Sequence, residues 1–458
     1  MQSSLSQLLA ALTGARMTTD VDFKGISTDS RRADAGSLFV ALRGERFDAH
    51  AFLDAVAAQG VAAVVVEQLP GGIDIPALVV PDTRLALGEI ARAWRSGFAL
   101  PVIGVTGSNG KTTVKEMIAA ILAAAFGAER TLATRGNLNN EIGVPLTVFR
   151  LDRQCQAAVI ELGMNHPGEI AVLAGIAQPT VGLVNNAQRE HQEFMESVAA
   201  VAIENGAVLR ALPVDGTAVF PADDEFTALW RGYAAETGQR KVMTFGLSAD
   251  ADVGCTFAAN DFGSDLQVDA GGERFAVSLA AAGVHNVRNA LAAIACALAA
   301  GIATEAIVRG LEAFSPVSGR LQRKTSKSGA ALIDDTYNAN PDSVRAAIDV
   351  LAGAAAPRIL ALGDMGEVGN DGPQFHQEIG AYAKAKGIDH LLTLGDLAQH
   401  SSKAFGNGAV HYHDIDMMNN AAETMLTPAT TLLVKGSRFM QMERVVQHLV
   451  GQSVVEGH

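Results

Sequence analysis

Tryptophan occurs twice and cysteine three times in 458 residues, and lysine plus arginine (35) fall short of aspartate plus glutamate (49). Each shortage excludes something. Cys155, Cys255 and Cys296 are far apart and form no metal-ligand spacing, so they read as small buried side chains in a reducing compartment. A net charge of −14 repels nucleic acid and anionic membrane surfaces overall, while leaving room for local basic pockets. No apolar run approaches the length of a membrane span. The opening MQSSLSQLLAALTGARM has no basic n-region, and its apolar run is too short and broken for export. The expectation is a cytoplasmic protein with no nucleic-acid partner and no membrane insertion.

What is present is apolar material in quantity, 48% of residues, enough for sizeable cores. Short apolar runs (AAVVVE, PVIGV, AAVIEL, VGLVN, RILAL, HLLTL, TLLVK) alternate with helical patterns along the chain. Such alternation predicts an α/β protein with parallel sheets covered by helices on both faces. The Ala-rich stretch 280–300 keeps helical spacing and reads as helix. Punctuation near Leu100-Pro101 and at SPVSG (315–319) divides the chain into 1–99, 100–316 and 317–458.

Residues 102–113, VIGVTGSNGKTT, read as a buried strand, a Gly-rich turn and the start of a helix. That is the setting of a phosphate-binding loop. Gly107 and Gly110 let the backbone curl, so that the N–H groups of Thr106 through Thr113, including Ser108 and Asn109, can face phosphate oxygens. Lys111 supplies a positive charge for the β/γ-phosphates and Thr112 a hydroxyl for Mg²⁺. Val105 stands where the longer GxxxxGK[ST] form has its first glycine, which leaves the shorter TGxxGKT variant. The expected cofactors are ATP and Mg²⁺.

Ligands of open parallel sheets sit beyond the carboxyl ends of the strands. AAVIELGMN brings Glu161 to such an end, and VGLVNNAQREH brings Asn185 and Asn186, with His191 just beyond. Glu161 suits Mg²⁺, which prefers oxygen ligands and keeps its waters. His191 is either a second cation ligand or a solvated loop side chain.

With TGSNGKTT, ELGMN, NNAQREH, VHNVRNALAA and DDTYNANPDS in that order, the chain resembles the Mur ligase family across its whole length. GNLNNEIGVPLT, VSGR, LGDMGEVG and VKGSRFMQME strengthen the match, and the missing DNPR signature counts against the member that adds the third peptide residue. The resemblance implies an N-terminal UDP-substrate domain, a central ATPase domain, and a Rossmann-like C-terminal domain that binds the incoming dipeptide and part of ATP. It also implies two substrates, UDP-N-acetylmuramoyl-tripeptide and D-alanyl-D-alanine, in a monomeric enzyme whose reaction passes through an acyl phosphate.

Residue roles follow from the same resemblance. Lys111, Glu161, His191 and Arg320 become catalytic, and Thr112, Glu161 and His191 hold metal. Asn286 and Asn289, three apart on one helical face, would meet adenine; helix-entry capping is the competing reading for Asn286 alone. Arg320 would contact phosphates and Asp335 the ribose. Asn340 and Pro341 predict a helix start, anchoring a loop whose Tyr337, Asn338 and Asn340 face dipeptide or nucleotide. Asp364, Lys435, Ser437 and Arg438 are expected on the same cleft, with surface charge the competing reading for Glu367 and Arg438. Ser30, Arg31, Arg43 and Gly44 resemble UDP-binding elements, and Asn137, Asn139 and Asn140 resemble the loop that positions the peptide.

One departure stands out. Where many family members place a carbamylated lysine after the histidine, this chain has VAIENGAVL, with Glu204 and Asn205. The expectation is that Glu204 supplies the missing anionic oxygen, or that water and His191 hold the second metal. Two rival functions remain at this point. One is another amide ligase of the family, such as a folylpolyglutamate synthase; the other is a phosphate-loop protein that uses ATP to drive a conformational switch.

Overall fold

The structure, a computed structural model, describes residues 1–44, 47–190, 193–260 and 262–451. Three large sheets take up the chain in succession, each sandwiched by helices, with a small antiparallel pair of Gln2–Ser4 and Asp22–Lys24 at the start, and the class is α/β. The first orders its strands 16–17, 77–79, 63–66, 38–40, 26–27, parallel except at the 16–17 edge. The third orders them 322–325, 331–335, 431–435, 358–363, 390–394, 409–412, parallel except at the 322–325 edge. Among the described residues no helix is long and apolar enough to cross a membrane.

The central sheet has nine strands and sets the site. Val102–Thr106 lies third from one edge, between Ala157–Glu161 and Val181–Val184, all parallel and buried throughout. A strand covered on both faces must be apolar at every position, which VIGVT, AAVIE and VGLV nearly satisfy. Their carboxyl ends therefore emerge side by side at one edge.

One part of this sheet departs from the parallel expectation. Val253–Asn260, Gly263–Ala270 and Glu273–Leu279 form an antiparallel meander at its far side. Alternating exposure along Gly263–Ala270 shows why: one face is solvated, as antiparallel strands tolerate. Gly271 and Gly272, at φ 64° and 95°, close its second hairpin, a turn that needs two positive φ angles in succession.

The packing is unequal between neighbours. A single apolar cluster runs from Leu5, Leu38 and Leu78 under the first sheet to Ile160, Leu173 and Phe220 under the second. Arg95, buried at the end of the helix Thr83–Ser96, donates to the carbonyls of Ala177, Phe98 and Gln178 and so caps the helix Glu169–Ala177. The C-terminal sheet keeps two cores of its own, one on each face. The divisions at 99/100 and 316/317 fall between sheets and stand as our proposed domain limits.

Candidate active site

The loop after Val102–Thr106 turns on Gly107 (φ 132°) and Gly110 (φ 82°), and the helix Lys111–Phe126 starts at once. A Cβ on Gly110 would sit 2.4 Å from Asn289 Oδ1 and 2.7 Å from Asn185 Nδ2, so only glycine fits there. Asn205 supports the loop from beneath, its Oδ1 accepting from Thr106 Oγ1 at 2.6 Å and Gly107 N at 3.2 Å. Asn186 grips the backbone of Asn109 with both ends of its amide, at 2.9 Å each. Lys111 Nζ folds back over the loop, 2.5 Å from Gly107 O, 3.1 Å from Ser108 O and 3.3 Å from Glu190 Oε2.

Glu161 closes the next strand. Its Oε1 accepts from Thr112 Oγ1 at 3.2 Å and Asn139 Nδ2 at 2.9 Å, and its backbone N–H donates to Thr134 Oγ1. Buried Lys115 donates to Thr134 O and pairs with Glu116, which stiffens the wall behind this carboxylate. Glu161 Oε2 is buried without a hydrogen-bond partner. A carboxylate oxygen left so, beside a threonine hydroxyl and a phosphate loop, fits a hard cation completed by phosphate and water. Among the described residues no set of three or more His, Cys, Asp or Glu side chains is arranged as a metal cage. His191 lies outside the described residues.

The amides expected to meet adenine form a chain. Asn185 Nδ2 donates to Asn289 Oδ1, Asn289 Nδ2 to Asn286 Oδ1, and Asn286 Nδ2 to Ala282 O. Gly283, not Asn286, is the N-cap of the helix Val284–Ala299, so capping does not account for Asn286. Arg288 on that helix holds Asp223 through two 2.7 Å bonds.

The C-terminal sheet faces this edge with its own strand ends. Arg320 stacks 4.1 Å from the Tyr337 ring centroid and donates to Thr112 Oγ1 at 2.9 Å. Leu321, at φ 51°, turns its N–H onto Asp335 Oδ1 at 3.1 Å. Asp335 Oδ2 meets Lys435 Nζ at 2.5 Å. Burial pushes the Asp335 carboxyl above its ordinary pKa, and the Lys435 ammonium opposes that shift. Asn340 caps the helix Pro341–Ala352 with Ser343 in a capping box and reaches across to Asn109 Oδ1 at 2.9 Å.

These groups line one cleft of about 1680 Å³. Ser108 through Thr113, Asn137, Asn139, Asn140, Glu161, Asn286, Asn289, Arg320, Asp335, Tyr337, Asn338, Asn340 and Lys435 are on its walls. Thr106 and Gly107 do not line the cleft and lie behind it, held by Asn205.

Several expected residues are placed elsewhere. Asp364 is buried with its carboxylate engaged by the N–H groups of Leu397 and Ala398. Ser437 hydrogen-bonds Gly366 N and Ala339 O, and Arg438 pairs with Glu443 at the surface. Glu367 does line the cleft, at φ 57°. Arg31 is 85% exposed and paired with Asp29, which it holds at a pKa of about 2. Ser30 O accepts from Gln59, Arg43 pairs with Asp48 and Glu67, and Gly44 N donates to Phe47 O. Glu204 corrects an expectation: its Oε2 and Oε1 accept from Gly168 N and Ile170 N at 2.8 Å each, so both oxygens cap a helix rather than face the cleft.

Sequence reading missed Arg84, Arg189, His285 and Arg288, all on the cleft wall. Arg189 and Arg288 stood inside quoted motifs, and their i+4 and i+2 offsets from Asn185 and Asn286 were available signals. Arg84 had none, because its partner Glu141 is 57 residues away.

Three family models match: Mur ligase family, catalytic domain, over residues 22–95; Mur ligase middle domain over 105–297; and Mur ligase, glutamate ligase domain, over 319–438. The chain belongs to the Mur ligase family. A relative from Escherichia coli (strain K12), named UDP-N-acetylmuramoyl-tripeptide--D-alanyl-D-alanine ligase, is 40% identical over 97% of this chain and 98% of its own. A crystal structure of MurF from Acinetobacter baumannii, 36% identical over 99% of both chains, superposes with a TM-score of 0.91. A second structure from that organism, described as UDP-N-acetylmuramoylalanyl-D-glutamyl-2,6-diaminopimelate--D-alanyl-D-alanyl ligase, is 36% identical over 99% of both chains, with a TM-score of 0.87. This Mur ligase is accordingly an ATP-dependent enzyme, which sets aside a phosphate-loop switch protein.

Proposed function

We propose that this Mur ligase joins D-alanyl-D-alanine to UDP-N-acetylmuramoyl-tripeptide in the cytoplasmic assembly of peptidoglycan precursors, acting as a monomer and releasing ADP and phosphate. The names of its relatives support this over folylpolyglutamate synthesis. The observation that carries the chemistry is the meeting of Thr112, Glu161 and Arg320 around one hydroxyl, at 3.2 and 2.9 Å.

Each group has a physical task. Lys111 leaves the loop carbonyls and offsets the charge spread over the transferring phosphoryl group, and Arg320 does so from the opposite domain. Thr112 and the free oxygen of Glu161 would hold Mg²⁺, which neutralises phosphate charge when bound. Asn139, tied to Glu161, presents the tripeptide carboxylate to the γ-phosphorus. The acyl phosphate formed there meets the dipeptide amine on the side of Tyr337 and Asn338. Closure of the three domains, 1–99, 100–316 and 317–458, keeps water from that hydrolysable intermediate.

The test is ADP release by the purified enzyme with each substrate omitted in turn. Turnover must require ATP, the UDP-muramoyl tripeptide and D-alanyl-D-alanine together, with pentapeptide and ADP formed one to one. ADP release that ignores the dipeptide, or peptide-bond formation that survives Lys111→Ala, overturns the proposal.

A further inference from the structure

Arg84, on the helix Thr83–Ser96, and Glu141, just before the helix Gly143–Val148, meet on the wall of the cleft. Asp82 accepts from the N–H groups of Arg84 and Leu85 and so fixes the start of the helix Thr83–Ser96. From there Arg84 Nη1 donates to Glu141 Oε1 at 2.7 Å and Nη2 to Arg43 O at 3.0 Å. The two side chains are 44% and 40% exposed, and both line the cleft. An ion pair so open contributes little to stability.

We propose that this pair reads the ammonium-and-carboxylate end of a third-residue 2,6-diaminopimelate and makes the enzyme selective for it over lysine. The inference rests on the function proposed above. Glu141 lies two residues beyond Asn139, whose amide touches the catalytic carboxylate Glu161, so its backbone is at most about 7 Å away along the chain. The far stereocentre of diaminopimelate is four carbon–carbon bonds from the near one, roughly 5 Å when extended. A third residue whose carboxylate reacts beside Asn139 therefore has the reach to bring its other end to Arg84 and Glu141, on the wall of the same cleft.

The chemistry matches at both atoms. A guanidinium has five N–H donors and Arg84 has committed two, so a carboxylate can dock on the rest. Glu141 keeps acceptor capacity for the ammonium. A lysyl side chain would bring the same ammonium to Glu141 but no carboxylate, leaving the remaining Arg84 donors without an acceptor from the substrate. The other cleft arginines are committed or remote: Arg189 to Asp342 and Glu378, Arg288 to Asp223, Arg320 to Thr112. Arg92 is eight residues along the helix from Arg84, about 12 Å.

The experiment measures kcat/KM of the whole enzyme for two UDP-muramoyl tripeptides, one ending in meso-diaminopimelate and one in L-lysine. The native enzyme should favour diaminopimelate by roughly 10- to 100-fold, the value of one charge-assisted contact. Arg84→Gln should bring the ratio to within about threefold of one, and Arg84→Lys should restore part of it. A pair that merely braces two domains would lower both substrates alike and leave the ratio standing, which sinks the proposal. Equal use of both tripeptides by the native enzyme also sinks it, while leaving the ligase function intact. Ligation of neither brings down both readings together.

Discussion

Arg189 Nη2 stands 2.6 Å from Asp342 Oδ1, and the pair joins the central sheet domain to the C-terminal one. Arg189 also holds Glu378 at 2.9 Å, and Glu378 is shared with Arg345. Hydrogen bonds donated to Asp342 first, and to Glu378 after it, raise the guanidinium above its ordinary pKa against the opposing effect of burial. Beside this clasp, Arg320–Thr112 and Asn340–Asn109 are further polar links across the same junction. The N-terminal layer, by contrast, is fused to the centre through a shared apolar core. Polar links reform after separation far more readily than a core does, so the C-terminal domain is the one built to move.

Arg189→Ala should therefore loosen closure rather than folding. Loss of a charged hydrogen-bonding group of this kind is worth about 2 kcal/mol. The expected result is a kcat/KM for D-alanyl-D-alanine lowered about thirtyfold, with nucleotide affinity changed less than about threefold, and a larger radius of gyration by X-ray scattering with both other substrates bound. Arg189→Lys should not rescue it, because an ammonium cannot grip two carboxylates in a planar fork. Unchanged scattering and rates would discard the clasp.

Gly110→Ala tests the loop itself. The residue sits at φ 82°, and a methyl would collide with the Asn289 and Asn185 amides at 2.4 and 2.7 Å. The left-handed backbone alone costs a non-glycine residue about 1–2 kcal/mol. Both amides must also move, which disturbs the proposed adenine wall and the phosphate loop together. ATP affinity should fall at least about tenfold, read by nucleotide titration, with the melting temperature lowered as well. Native ATP affinity in this variant would show that the amide chain does not govern the nucleotide.

How much of this was legible in sequence depends on the range over which each residue acts. The phosphate loop, Glu161 at its strand end and the Asn340-Pro341 helix start are local patterns, and the chain adopts them as the local chemistry dictates. The meander was missed because strong α/β alternation elsewhere masked a period-two stretch with a Gly-Gly turn. Asp364 and Ser437 stand close after strands, as cleft residues would, but their polar atoms are turned onto neighbouring backbone. Arg84–Glu141 and Arg189–Asp342 join residues 57 and 153 apart, and only the tertiary fold brings such partners together.

His285 predicts a pH dependence. Its ring is half-buried in the cleft wall, and burial, with the Lys435 charge after it, holds its pKa down to about 4. The unfolded chain titrates this group near 6.5. Below that value the unfolded state takes up a proton that the folded state refuses, so stability falls as pH drops from about 6.5 towards about 4. Above 6.5 the group contributes no slope. The loss is at most about 3 kcal/mol, and His285→Gln should flatten that limb of a urea-melt series. An unchanged slope in the variant would assign the acid sensitivity elsewhere.

Glu204 separates two uses of a buried carboxylate. Its oxygens accept from Gly168 N and Ile170 N, the open N-terminal N–H groups of the helix Glu169–Ala177, whose N-cap is a glycine with no side chain to offer. A carboxylate spent in this way stabilises a helix end and is turned from the metal side of the cleft. Asn205 beside it is equally occupied, under Thr106 and Gly107. Glu204→Gln should then cost about 1–2 kcal/mol of stability, seen as a lower melting temperature, while the Mg²⁺ concentration for half-maximal activity stays within about twofold. Activity of the native enzyme should not respond to added bicarbonate, since no lysine stands in this stretch to form a carbamate. A metal requirement that rises tenfold in Glu204→Gln at unchanged melting temperature would return the carboxylate to the metal, and a rate that climbs with bicarbonate would demand a carbamate from some other lysine.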